Sequence, residues 1–140
     1  MGKINVRIEL INYQDMIAFN LGIKKENEIR KFIVNDALVD SGATMLMVPQ
    51  KIVKQLGLQR RESILVKDAN GGSINRDIYG DIWLKILNNE GVFECIEIPD
   101  NVPLLVGQIP LERFDLVVDC TNQKLVVNPN HPEGPTLLAY

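Results

Sequence analysis

The sequence predicts an all-β domain, a small closed β-structure carrying one or two short helices. Three observations predict it. Apolar and polar residues alternate through much of the chain, the period-two signature of half-buried strands. Clusters of Gly, Asn, Asp and Pro interrupt that alternation, as turns between short strands do. Helical start signals occur after Pro49 and at Pro110, and both stretches are short.

The elements follow in order. Ile4, Val6, Ile8 and Leu10 alternate with Asn5, Arg7 and Glu9, a first strand. Met16 to Leu21 is a second candidate strand, and the charged run Lys24 to Glu28 a loop or hairpin tip. Lys31 to Val39 reads as a strand that runs into Asp40. Pro49 suits the first turn of a helix with Ile52, Val53 and Leu56 as its apolar stripe and Gly57 as its stop. Ile64-Leu65-Val66 is a short strand, and Asp68 to Ser73 a cluster of turn formers. The chain then reverses into Ile74 to Ile86, with Ile82, Leu84 and Ile86 on one face and Trp83 on the other. Asn88 to Gly91 is a turn, and Val92 to Ile98 a strand closed by Pro99. Leu104-Leu105-Val106, ending at Gly107, fits a strand buried on both faces. A short helix is expected from Pro110 to about Phe114. Leu116 to Cys120 and Lys124 to Val127 flank the turn Thr121-Asn122-Gln123. The segment from Asn128 to Tyr140 is Pro-rich and ends apolar.

Composition narrows the function. At 140 residues with 46% apolar content, the chain is one domain able to bury its own core. A net charge of −3 and no basic face argue against a nucleic-acid partner. No apolar run approaches a membrane span, and no signal-like stretch follows Met1-Gly2-Lys3, so a cytoplasmic protein is expected. The two cysteines, Cys95 and Cys120, lack CxxC spacing, and His131 is the one histidine. That leaves little for a zinc site or a His-based hydrolase, and no metal or cofactor is expected. Asp68 to Ser73 resembles a calcium loop only at its start, because the twelfth position would be Tyr79 rather than Glu. Gly71-Gly72 lacks the Lys-Ser/Thr and the strand-to-helix setting of a phosphate loop.

The chemistry concentrates in Ala37-Leu38-Val39-Asp40-Ser41-Gly42-Ala43-Thr44. A carboxylate directly after an apolar strand is held rigidly. Ser41 can hydrogen-bond locally, Gly42 permits a tight turn and close approach, and Ala43 keeps the approach open. Asp-Ser-Gly alone is also an ordinary β-turn composition. Its context sets it apart: a strand before, a helix after, then a glycine-tipped hairpin, then Leu105-Val106-Gly107.

In that context Leu38 to Thr44 resembles the active-site motif of the retropepsin-like aspartic protease family. Gly71-Gly72 sits where that family has its flap. Leu104 to Gly107, with the helix from Pro110, resembles the family's second apolar-Gly element. Leu116 to Pro129 is similar to the terminal hairpin of its bacterial single-domain members. Gln108-Ile109-Pro110 departs from the polar residue and continuous helix start often found there.

The resemblance implies an acid-protease-type β-barrel over residues 1–129, followed by a Pro-rich tail at 130–140 that is a candidate for the dimer interface. It implies a homodimeric endopeptidase acting on a peptide or protein substrate. Asp40, Ser41 and Gly42 would be catalytic, and Ala43, Asp68, Ala69, Asn70, Gly71, Gly72 and Ser73 would contact substrate. Val66, Ala69, Ile74, Pro103 and Leu104 are candidates for the pocket lining. The family's chemistry needs two facing carboxylates that share one proton. This chain has one Asp-Ser-Gly, and Asp119 precedes Cys-Thr as a hairpin residue. The second carboxylate must then come from a second copy across a two-fold axis. Two alternatives stay open: a dimerisation or peptide-binding module with weak catalysis, and a processing enzyme confined to one partner.

Overall fold

The computed structural model describes residues 3–135. The apolar end of the chain at Leu137 to Tyr140 therefore lies outside the described residues. Strands dominate, as alternation predicts. They are β1 (Asn5–Asn12), β2 (Lys31–Val39), β3 (Leu46–Pro49), β4 (Gln59–Lys67), β5 (Ser73–Ile86), β6 (Asn89–Ile98), β7 (Leu105–Val106), β8 (Leu116–Asp119) and β9 (Lys124–Val127). Three short α-helices interrupt them: α1 (Tyr13–Asn20), α2 (Gln50–Gln55) and α3 (Gln108–Arg113).

Seven strands form one sheet in the order β1-β2-β7-β3-β6-β5-β4, and a further pairing of β1 with β5 closes six of them into a ring. The long β5 makes this possible. Its second half pairs with β1, Ile82 opposite Asn12 and Ile86 opposite Ile8, while its first half leaves the ring to pair with β4. The β4–β5 hairpin thus projects from the ring. The β8–β9 pair forms a separate two-stranded sheet.

The ring encloses the core. Ile8, Leu10, Leu46, Val48, Ile82, Leu84, Ile86 and Val106 are almost wholly buried. Their spacing of two along each strand is what turns every apolar side chain inward. Each such burial is worth about 1.5–3 kcal/mol. Phe114 is buried in the same core, edge-on to Phe93 at 5.3 Å between ring centroids. A smaller cluster of Ile78, Ile96 and Ile98 lies apart, with Met45, Met47, Val66 and Val102 against it.

Several expected elements differ. Met16 to Leu21 is not a strand, because it falls in and just after helix α1. The reason is the Asn12 side chain, which accepts a hydrogen bond from the Asp15 N–H at 2.9 Å and so caps the helix. The same amide donates to the Leu56 carbonyl at 2.7 Å, which ties the cap to the end of α2. Apolar Ile17, Phe19 and Leu21, which suggested a strand, stay exposed. Three α-helices stand where one or two were expected.

The turn expected at Asn88 to Gly91 sits two residues earlier, at Ile86 to Asn89. Leu87 and Asn88 both take positive φ, 47° and 70°, and Ile86 pairs directly with Asn89. This is the two-residue geometry whose twist matches antiparallel strands. β4 is longer than Ile64 to Val66, because pairing with β5 carries the charged residues from Arg60 to Glu62 into the strand. Helix α3 begins at Gln108, two residues before Pro110. Lys31 to Val39, the stripe Ile52-Val53-Leu56, and the hairpin around Asn122 all form as expected. Among the described residues no helix is long and apolar enough to cross a membrane.

Candidate active site

Asp40 follows the last residue of β2, and its backbone is fixed on two sides. Its N–H donates to the Val106 carbonyl at 3.0 Å, continuing the parallel pairing of β2 with β7. The preceding Val39 N–H donates to Ile4 at 2.9 Å. The chain then turns, with the Ala43 N–H donating to the Asp40 carbonyl at 3.1 Å. Within that turn the Gly42 N–H donates to the Asp40 carboxylate at 2.9 Å. A Cβ at Gly42 would stand 3.1 Å from the same carboxylate oxygen, tighter than ordinary contact. Glycine at 42 therefore lets the N–H reach the carboxylate without crowding it.

The second glycine element grips this turn from below. Gly107 is buried, and a Cβ there would meet the Ala43 carbonyl oxygen at 2.7 Å and collide with that of Met45. Only a residue without a side chain lets β7 pass this close. The first N–H groups of α3 then bond back to the turn, Gln108 to Ala43 at 2.7 Å and Ile109 to Thr44 at 2.8 Å. Helix N-termini carry unpaired donors, and here the turn beyond Asp40 supplies the acceptors. The unusual Gln108-Ile109-Pro110 start keeps these bonds, because Pro110, the one residue lacking an N–H, comes after both donors.

In front of Asp40 lies a cleft of about 730 Å³. Met45 and Met47 line one wall, while the alternate residues Leu46 and Val48 point into the core. Ile96, Ile98 and Leu105 extend the apolar surface. The β4–β5 hairpin forms the opposite wall through Ile64, Val66, Ile74 and Arg76. Two methionines make this an adaptable surface, since their side chains refit to different shapes.

The expected site residues divide. Asp40, Gly42 and Ala43 meet at one side of the cleft, and Asp68 and Ala69 reach it from the hairpin. Ser41 is exposed, and its hydroxyl makes no hydrogen bond among the described residues. Asn70, Gly71, Gly72 and Ser73 occupy the exposed tip and do not line the cleft of the single chain. The tip is organised by Asp68, whose carboxylate accepts from the N–H groups of Asn70 at 2.8 Å and Gly72 at 2.9 Å. Gly71 has φ of +82°, the left-handed conformation that glycine adopts without strain.

Of the pocket candidates, Val66, Ala69 and Ile74 line the cleft. Pro103 and Leu104 do not. Leu104 is buried, 4% exposed, and both border a separate groove beside Phe32 and Val34. The cleft instead receives Leu105. The one-residue slip follows from strand geometry, in which neighbours point to opposite faces. Met45, Met47, Leu105 and Arg76 were not among the expected lining residues. The alternation of Met45 and Met47 with Leu46 and Val48 could have marked a strand with two occupied faces.

Among the described residues no other carboxylate pairs with Asp40. Asp68 is the one other acid on the cleft, and the tip N–H groups occupy it. Asp119 caps its own hairpin, accepting from the Asn122 side chain at 2.9 Å and the Thr121 N–H at 3.1 Å. The Asn122 side-chain bond, the largest influence, draws the Asp119 carboxyl below its ordinary range. Asp115 is lowered likewise, first by the Asn128 side chain and then by His131. These bonds tie the start of the Pro-rich tail to the corner between α3 and β8. Among the described residues no group of three His, Cys, Asp or Glu side chains converges as metal ligands do.

No family model matches the chain, and no curated protein matches it.

Proposed function

We propose that this chain is one subunit of a retropepsin-like aspartic endopeptidase, active as a homodimer. One observation carries the reading. Asp40 is a single carboxylate, braced by the Gly42 N–H, beside an apolar cleft whose other wall is a projecting glycine-tipped hairpin. The ring of strands is then the acid-protease-type barrel of each subunit.

The chemistry follows from the missing partner. A second Asp40, supplied by the other subunit, would face the first across a water molecule. Two carboxylates that close hold one proton between them. The ionised member takes a proton from the water as it attacks the peptide carbonyl, and the protonated member hydrogen-bonds that carbonyl oxygen. The resulting tetrahedral species collapses when a carboxyl delivers a proton to the amine, breaking the C–N bond. The hairpin would close over an extended peptide, shedding water and adding strand-like hydrogen bonds. Ser41, exposed and without a side-chain hydrogen bond among the described residues, would brace the two Asp40 loops across the axis. The unpaired thiols of Cys95 and Cys120 fit the reducing environment of a cytoplasmic enzyme.

A peptide library assayed from pH 4 to 7 tests the reading. Wild type should cleave with an acid-favoured profile that pepstatin-like inhibitors suppress, and Asp40→Asn should abolish cleavage. Activity surviving in pure Asp40→Asn would refute the assignment. Peptide binding without cleavage by wild type would favour a binding module instead.

A further inference from the structure

We infer that Arg76 is a specificity residue, which selects a substrate carrying an acidic side chain at one position near the cleaved bond. The inference rests on the protease reading above and adds the substrate class.

Ile64 pairs with Arg76 and Val66 with Ile74, so these four side chains share one face. All four line the cleft, and Ile78, next along the same face, belongs to the small apolar cluster beneath it. Arg76 therefore sets a guanidinium in an otherwise aliphatic band.

Charge pairing elsewhere on the hairpin sharpens the point. Arg60 holds Asp77 at 3.2 Å, and Arg61 holds Asp81 at 3.2 Å. Arg76 has no ion pair and no side-chain hydrogen bond among the described residues, although it is partly buried. The other charged residues on the cleft leave it so. Asp68 is held by the tip N–H groups, Asp40 by Gly42, and neither lies within ion-pairing distance of Arg76. Lys67 sits at the opposite parity on β4 and adds positive charge rather than a partner.

A partly desolvated guanidinium with open donors favours a planar anion that can accept two of them, which is a carboxylate. Arg76 lies three residues into β5 from its first residue, Ser73, roughly 10 Å at about 3.4 Å per residue. It is thus away from the tip, on the wall an extended peptide would follow. Apolar side chains of the peptide would fill the Met45, Met47 and Ile74 surface, and one Glu or Asp would reach Arg76.

Paired peptide series decide the matter, identical except for Glu or Gln placed in turn at each position flanking the cleaved bond. Wild type should favour Glu over Gln at one position by about tenfold or more in kcat/KM. Arg76→Gln should erase that preference at that position alone, Arg76→Lys should keep part of it, and Arg76→Glu should reverse it. Matching urea midpoints would show that the variants fold. Equal rates for Glu and Gln in wild type would overturn the inference, as would a preference that survives Arg76→Gln. So would an Arg76→Gln variant altered only in dimer dissociation, since that would assign the guanidinium to the partner subunit. If wild type cleaves neither series, the protease reading fails separately. The same peptides are then titrated by fluorescence anisotropy, where tighter binding of a Glu peptide, lost in Arg76→Gln, supports the inference and equal binding overturns it.

Discussion

The two walls of the cleft are held in opposite ways. The Asp40 turn is bonded to its surroundings: β7 through Val106, α3 through Gln108 and Ile109, with Gly107 pressed beneath it. Even the start of its strand is anchored, because Arg30 beside Lys31 is locked to Asp15. Among the described residues the tip of the β4–β5 hairpin bonds only to itself. Its N–H groups turn inward to Asp68, and its residues are all exposed. In the proposed protease a reacting group would need fixed geometry, whereas a covering hairpin would have to open and close. The contrast divides one site into a rigid half and an adjustable half.

The largest expected effect comes from breaking the rigid half. Gly107→Ala forces a methyl group against two backbone carbonyls, which have no rotamer to yield. Urea unfolding should show a loss of about 3 kcal/mol, with cleavage lost in parallel. A variant as stable and active as wild type would mean that β7 does not clamp the Asp40 turn.

Next comes the anchor at the start of β2. The Asp15 side chain is 3% exposed and meets Lys24 at 2.6 Å and the Arg30 Nε at 2.8 Å. The Arg30 side-chain bond, the largest cause, holds its carboxyl well below the usual carboxylate range. The folded state therefore binds this proton more weakly than the unfolded chain does. That stabilisation is complete above the ordinary carboxylate value of 3.8 and is lost as pH falls toward the folded one. Asp15→Asn should cost about 2 kcal/mol at neutral pH, a figure reduced because Arg30 is half exposed. It should also flatten the acid limb of the stability profile. An unchanged acid limb would show that Asp15 does not carry it.

The smallest effect belongs to the adjustable half. A Cβ at Gly71 meets nothing within 4 Å, so Gly71→Ala brings only the strain of φ +82°. Stability should fall by about 1 kcal/mol, and steady-state kinetics should show KM shifting more than kcat. A large fall in kcat instead would place the tip in the chemical step.

The same division explains what could be read from the chain. Strand β2, its end at Asp40, and the glycines at 42 and 107 were legible because local composition dictates them. Helix α1 was not. Its apolar residues mimic a strand, and the deciding features are a cap from Asn12 and a buried carboxylate whose partners come from residues 24 and 30. Met45, Met47, Leu105 and Arg76 were hidden for a different reason. Alternation says that a strand has two faces, but only the folded ring shows that the second face lines a cleft rather than meeting water. Leu104 and Leu105 are equally apolar in sequence, and their opposite directions become visible only through the pairing of Leu105 with Met47.

In the proposed dimer each Asp40 is half of a site. Co-refolding wild type with Asp40→Asn at fixed total concentration, followed by a cleavage assay at each ratio, tests it most directly. If both carboxylates are required, activity follows the square of the wild-type fraction, about one quarter at an equal mixture. Activity falling in simple proportion, to about one half at an equal mixture, would mean that each chain works alone and would contradict the shared site.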